Sequence, residues 1–92
     1  MAKDRSIMER LSTAADLLDE PLPGLPLVEL AGDRRVLIER HMGVSEYTKE
    51  RIMVKVKLGH ICVCGTNMEL SRIMKSQLSI KGTIFSVSII RG

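Results

Sequence analysis

Both cysteines of the chain stand two residues apart in the run His60-Ile61-Cys62-Val63-Cys64-Gly65. Imidazole and thiolate are zinc ligands, so a His-x-Cys-x-Cys row on one face of a strand is a candidate metal or redox site. Three such groups fall short of the four that structural zinc takes. His41 is the only other histidine, and no Cys-x-x-Cys knuckle is present. Alternate residues of a strand also stand ~6–7 Å apart with parallel side chains, which suits neither chelation nor a disulfide. The competing reading is two free thiols acting as compact side chains on a partly covered sheet face. Nucleophilic catalysis would need a positioned base and an electropositive setting. No constellation supplies them, and Gly59, Gly65 and Gly82 are isolated glycines without the spacing of a phosphate loop. The expectation is a protein that is not an enzyme and holds no cofactor, with metal or redox chemistry through His60, Cys62 and Cys64 as the third choice.

Arg51, Lys55 and Lys57 form a second candidate, a basic stripe along one strand face that could meet phosphates. Single-strand binders add aromatic stacking platforms, and here Tyr47 and Phe85 are the only aromatic residues. A solvated face that discourages edge pairing is the better reading, and no nucleic acid is expected as a partner. The net charge of +3, with acidic and basic residues interspersed, says little about partners. No apolar run approaches the ~20 residues of a membrane span and the first ten residues lack a secretory pattern, so the chain is expected in the cytoplasm without transmembrane insertion.

The elements that must position these groups fit one small domain of 92 residues. With no Trp, its core must be built from Val, Ile, Leu and Met. Ile7, Leu11, Ala14 and Leu18 recur at helical spacing after Ser6 and Glu9, a capping-box pair, so residues 1–19 read as an amphipathic helix. Pro21, Pro23, Gly24 and Pro26 make residues 20–26 a linker. Residues 27–92 alternate apolar and polar with period two and read as strands: 27–31, 36–41, 51–58, 61–65, 67–73, 77–81 and 84–90. Gly59-His60 is expected to turn the hairpin of 51–58 with 61–65, while Gly32-Asp33 and Lys75-Ser76 supply other breaks. Met68 is expected in the core; Met42 and Met53 fall on or beside polar faces.

A weak repeat joins these strands. Residues 28–32, 61–65 and 78–82 each read apolar-x-apolar-x-Gly, and the last two lie 17 positions apart. That offset sets Ile61 and Val63 against Leu78 and Ile80, and Cys62 and Cys64 against Ser79 and Lys81. The thiols therefore belong to the face where the sibling strand is polar. Gly32, Gly59, Gly65 and Gly82 are read as bend glycines. The fold expected is mostly β: a curved two-layer antiparallel sheet, sandwich or roll, of about six to seven short strands with one N-terminal helix.

The run Ile38-Glu39-Arg40-His41-Met42-Gly43-Val44-Ser45-Glu46-Tyr47 resembles the signature of the YabP/YqfC family of sporulation proteins, closer to the YqfC branch. The strand at 25–32 and the glycine-spaced strands after Leu58 resemble further family elements, so the likeness covers about residues 25 to 90. Arg40 stands where the family usually has Asn, and Ser45 where an apolar residue is common. The resemblance implies a small protein of the mother-cell cytoplasm, peripheral to the forespore membrane, needed for spore maturation or envelope assembly. It also implies a protein partner, a membrane protein of the same programme (YqfD-like), with a homo-oligomer as a further expectation. His41, Gly43, Glu46 and Tyr47 are singled out as an interaction or structural corner. The reading is an assembly or adaptor module; a self-polymerising β scaffold is the alternative.

Overall fold

The computed structural model describes residues 24–92, so the expected helix at 1–19 and most of the linker at 20–26 lie outside the described residues. Six strands follow: β1 Leu27–Ala31, β2 Arg35–Glu39, β3 Val44–Tyr47, β4 Arg51–Val56, β5 Gly59–Ile73 and β6 Gln77–Arg91. They form one open antiparallel sheet in the order β1-β2-β6-β5-β4-β3. Two corrections follow for the expected fold. Pairing runs unbroken through one sheet instead of two layered sheets, and four of the expected short strands merge into two long ones of 15 residues each. The glycines at 65 and 82 bend these strands without ending them, because the ladder continues past them through register shifts at Cys64/Gly65 and Thr66/Glu69.

The 17-residue repeat appears as a pseudo-twofold relation between the halves of the β5–β6 hairpin. β2 pairs with the first half of β6, placing Val36 opposite Ile80 and Ile38 opposite Leu78. β4 pairs with the first half of β5 in the equivalent way, placing Ile52 opposite Val63 and Val54 opposite Ile61. At each bend the glycine N–H donates to the residue just before the partner strand: Gly82 to Arg34 O at 3.1 Å and Gly65 to Glu50 O at 3.0 Å. The two bends also press together. A Cβ on Gly82 would stand 2.8 Å from Asn67 O and Met68 Cα, and a Cβ on Gly65 would collide with Thr83 O. Only glycine lets these backbones approach so closely.

Alternation then sorts the faces. Val36, Ile38, Ile52, Val54, Ile61, Val63, Met68, Leu78 and Ile80 are fully buried, and residues from both halves of the sheet enter this single cluster. Each such side chain contributes about 1.5–3 kcal/mol by leaving water. The β4–β5 turn differs from expectation: Lys55 pairs with His60 and Val56 with Gly59, so Lys57-Leu58 form the two-residue loop. Gly59 instead opens β5 with φ +142°, where a side chain would collide with Ile90 O. The shift is even in number, so it leaves every inward residue inward. β3 was not expected as a strand; it is short and bulged between Val44 and Glu46. Thr48 closes its turn, accepting from Arg51 N–H at 2.9 Å and donating to Arg51 O at 3.0 Å.

Candidate functional site

The four residues of the family-like corner serve two separate seams. The link from β2 to β3 crosses at residues 40–43 and is held by its main chain. Arg40 and His41 N–H both donate to Ser76 O in the β5–β6 turn, and Met42 N–H donates to Lys55 O at 2.7 Å. His41 adds a side-chain brace. Its Nδ1 accepts from Gly43 N–H at 3.1 Å, which leaves Nε2 as the donor to Met74 O at 2.9 Å. The ring is thus set as the Nε2–H tautomer, reaching from the crossover to the hairpin tip. Gly43 takes φ +117° with open space around it, so backbone conformation and not crowding favours glycine there.

Arg40 also sits in the left-handed region, at φ +63°. Few non-glycine residues do so, and Asn is among the best tolerated. An Asn at this position would meet the same backbone with less strain. Arg40 gains one contact in exchange, from Nη1 to Leu25 O at 3.2 Å.

Glu46 and Tyr47 lie on the outer strand β3. Glu46 stands 3.6 Å from the Arg51 guanidinium, both substantially exposed, a pair of little energetic weight. Tyr47 does more. Its hydroxyl accepts from Leu70 N–H at 3.2 Å, satisfying a donor on the half of β5 that no further strand covers. The corner therefore works as two braces, His41 with Gly43 on one side and Tyr47 on another, with Glu46 joined to Arg51.

The strand carrying His60, Cys62 and Cys64 extends through all three, on the face of Arg51, Met53 and Lys55 of β4 and Ser86 and Ser88 of β6. The two sulfurs lean to 3.8 Å of each other, closer than strand spacing alone predicts, and both thiols are free. Among the described residues no three His, Cys, Asp or Glu side chains gather as a metal-ion ligand set. Cys62 is buried, and burial first, then its hydrogen bond and charge interaction with Cys64, push its thiol pKa up; Arg51 opposes this. A raised pKa keeps the thiol protonated, the reverse of what a nucleophile needs. The basic stripe is partly engaged: Arg51 contacts Glu46 and donates from Nη2 to Met53 Sδ at 3.2 Å. An open groove of about 540 Å³ lies where the β1–β2 turn meets the bend, lined by Arg34, Arg35, Asn67, Glu69, Lys81 and Gly82. Lys81 is paired there with Glu69 at 3.2 Å.

Sequence reasoning missed two residues that shape these sites. Asn67, at φ +52°, turns β5 at the bend, and Thr48 closes the β3–β4 turn. Asn before a buried methionine and Thr at a turn start were the available signals.

Fold and braces define a small β protein in which His41 and Tyr47 of the corner are spent on its own backbone. The YabP family profile matches residues 26–91, spanning the sheet from before β1 to the end of β6, and the chain belongs to this family. It is similar to the protein named "Uncharacterized protein YqfC" of Bacillus subtilis (strain 168), 23% identical over 74 residues that cover 80% of each chain. No solved structure matches it. No helix among the described residues is long and apolar enough to cross a membrane.

Proposed function

We propose that this chain is a non-enzymatic assembly or adaptor module of endospore maturation, acting in the mother cell by docking on a protein partner. The observation that carries the reading is membership of the YabP family across the whole described sheet. The side-chain chemistry supports it. His41 and Tyr47 are occupied by main-chain groups, and Cys62 is held as a thiol, so none is set up to attack or protonate a substrate. Meanwhile Leu27, Leu30, Met42, Tyr47, Met74, Phe85, Ile89 and Ile90 leave large apolar surface in water, the kind of surface that partners cover. The resemblance supports a membrane protein of the sporulation programme as that partner, with the chain peripheral to the forespore membrane.

The test is genetic. Deleting the gene in its own host is expected to lower the yield of heat-resistant spores while vegetative growth stays unchanged, with recovery on complementation. An unchanged spore yield would refute the reading.

A further inference from the structure

β6 changes character along its length. From Gln77 to Lys81 it lies between β2 and β5. At Ile84 its N–H is still taken, by Asp33 O at 2.7 Å. Beyond that point β5 is its sole strand neighbour among the described residues, so one edge of residues 85–91 has no strand beside it there. Phe85 is skipped in the β5–β6 register. Phe85 is 68% exposed and Ile89 60%.

Other open edges of the sheet carry the usual protections. β1 and β3 are five and four residues long and include Glu29 and Glu46. The uncovered half of β5 carries Glu69 and Arg72. Short length and charge are how proteins blunt an edge. The segment Phe85-Ser86-Val87-Ser88-Ile89-Ile90 has no charge at all.

Its pattern is also palindromic about Val87. Two copies paired antiparallel with Val87 on the twofold axis place Phe85 opposite Ile89 twice, and Ser86 opposite Ser88 twice. Apolar residues are then opposed to apolar residues and hydroxyls to hydroxyls, as favourable cross-strand pairs require. A slip by one residue would oppose Val87 to Ser88 and mix the faces. A slip by two, to an axis at Ser88, would set Phe85 against Arg91. Chemistry and register therefore select a second copy of this chain, in an isologous contact.

We propose that the chain forms a twofold dimer by edge-to-edge pairing of Phe85–Ile89 of β6, making one continuous sheet across two copies. The inference rests on the sheet edge and does not depend on the sporulation reading.

The test is sedimentation of the full chain over a concentration series, with circular dichroism confirming the β fold of each protein. Wild type is expected to pass from monomer to dimer. The double variant Phe85→Lys with Ile89→Lys is expected to remain monomeric where wild type is dimeric. The double variant Phe85→Lys with Ile89→Glu is expected to recover the dimer at low salt, because each introduced lysine faces the introduced glutamate of the other copy. Amide exchange of wild type supplies a readout free of variants: protection at residues 85–89 should rise with concentration. A wild type monomeric throughout, a Lys/Lys variant as dimeric as wild type, or two double variants equally monomeric would each overturn the proposal.

Discussion

Replacing three glycines by alanine separates the two physical reasons for glycine in this fold. Gly43→Ala adds a Cβ into open space at φ +117°, so it meets the conformational cost alone, about 1–2 kcal/mol. Gly65→Ala has no left-handed backbone but drives its Cβ into the main-chain Thr83 O, which gives the crowding cost alone, at least about 1–3 kcal/mol because the paired backbone must move. Gly82→Ala meets both, at φ +148° and 2.8 Å from Asn67 O and Met68 Cα, so about 3–4 kcal/mol is expected. A domain of this size has roughly 5–10 kcal/mol in hand, so Gly82→Ala removes a large share of it. Urea unfolding followed by circular dichroism measures all three against wild type, with unchanged slopes indicating the same unfolding transition. Gly65→Ala and Gly82→Ala are both expected to cost more than Gly43→Ala. Gly82→Ala no more costly than Gly43→Ala would refute the pressing of the two bends against each other.

Relief of the left-handed backbone at Arg40 by Arg40→Asn is expected to stabilise by about 0.5–1 kcal/mol despite losing the contact to Leu25 O. A thermal melt should move up by a few degrees, and a fall would count against the strain. Tyr47→Phe removes the acceptor of Leu70 N–H and is expected to cost about 0.5–1.5 kcal/mol, with faster amide exchange at Leu70; unchanged exchange there would contradict the brace. At mildly alkaline pH, iodoacetamide should label Cys64 before Cys62, since burial holds the Cys62 thiol protonated. Because its pKa is raised in the fold, that thiol's contribution to stability is complete below the unfolded thiol's pKa of about 8.5 and is lost as pH rises toward the folded value. The alkaline loss of urea midpoint should therefore be smaller in Cys62→Ala than in wild type.

The long-range pattern was legible where alternation was strong. The bounds of β1, the inward set Ile52, Val54, Ile61, Val63, Leu78 and Ile80, and the placement of both cysteines on the face opposite that set all follow from period two and the 17-residue offset. The number of strands did not follow, because a glycine in a strand reads as a stop in sequence while a bulged ladder carries the strand through it. β3 was hidden because four residues with a bulge show no clear alternation. The β4–β5 turn was displaced because Gly59 reads as a turn residue, whereas its use is close approach to Ile90. At the corner, sequence pointed to His41, Gly43, Glu46 and Tyr47 but not to their separate partners, since Met74 O and Leu70 N–H are backbone groups far along the chain. The lean of the thiols to 3.8 Å likewise depends on side-chain rotamers that spacing does not specify.

The docking role itself is tested most directly by affinity capture of the tagged full chain from the crosslinked membrane fraction of sporulating cells of its own host. The account predicts one membrane protein of the sporulation programme enriched over an untagged control, and absent from vegetative cells. Recovery of the chain with no membrane protein enriched would contradict it.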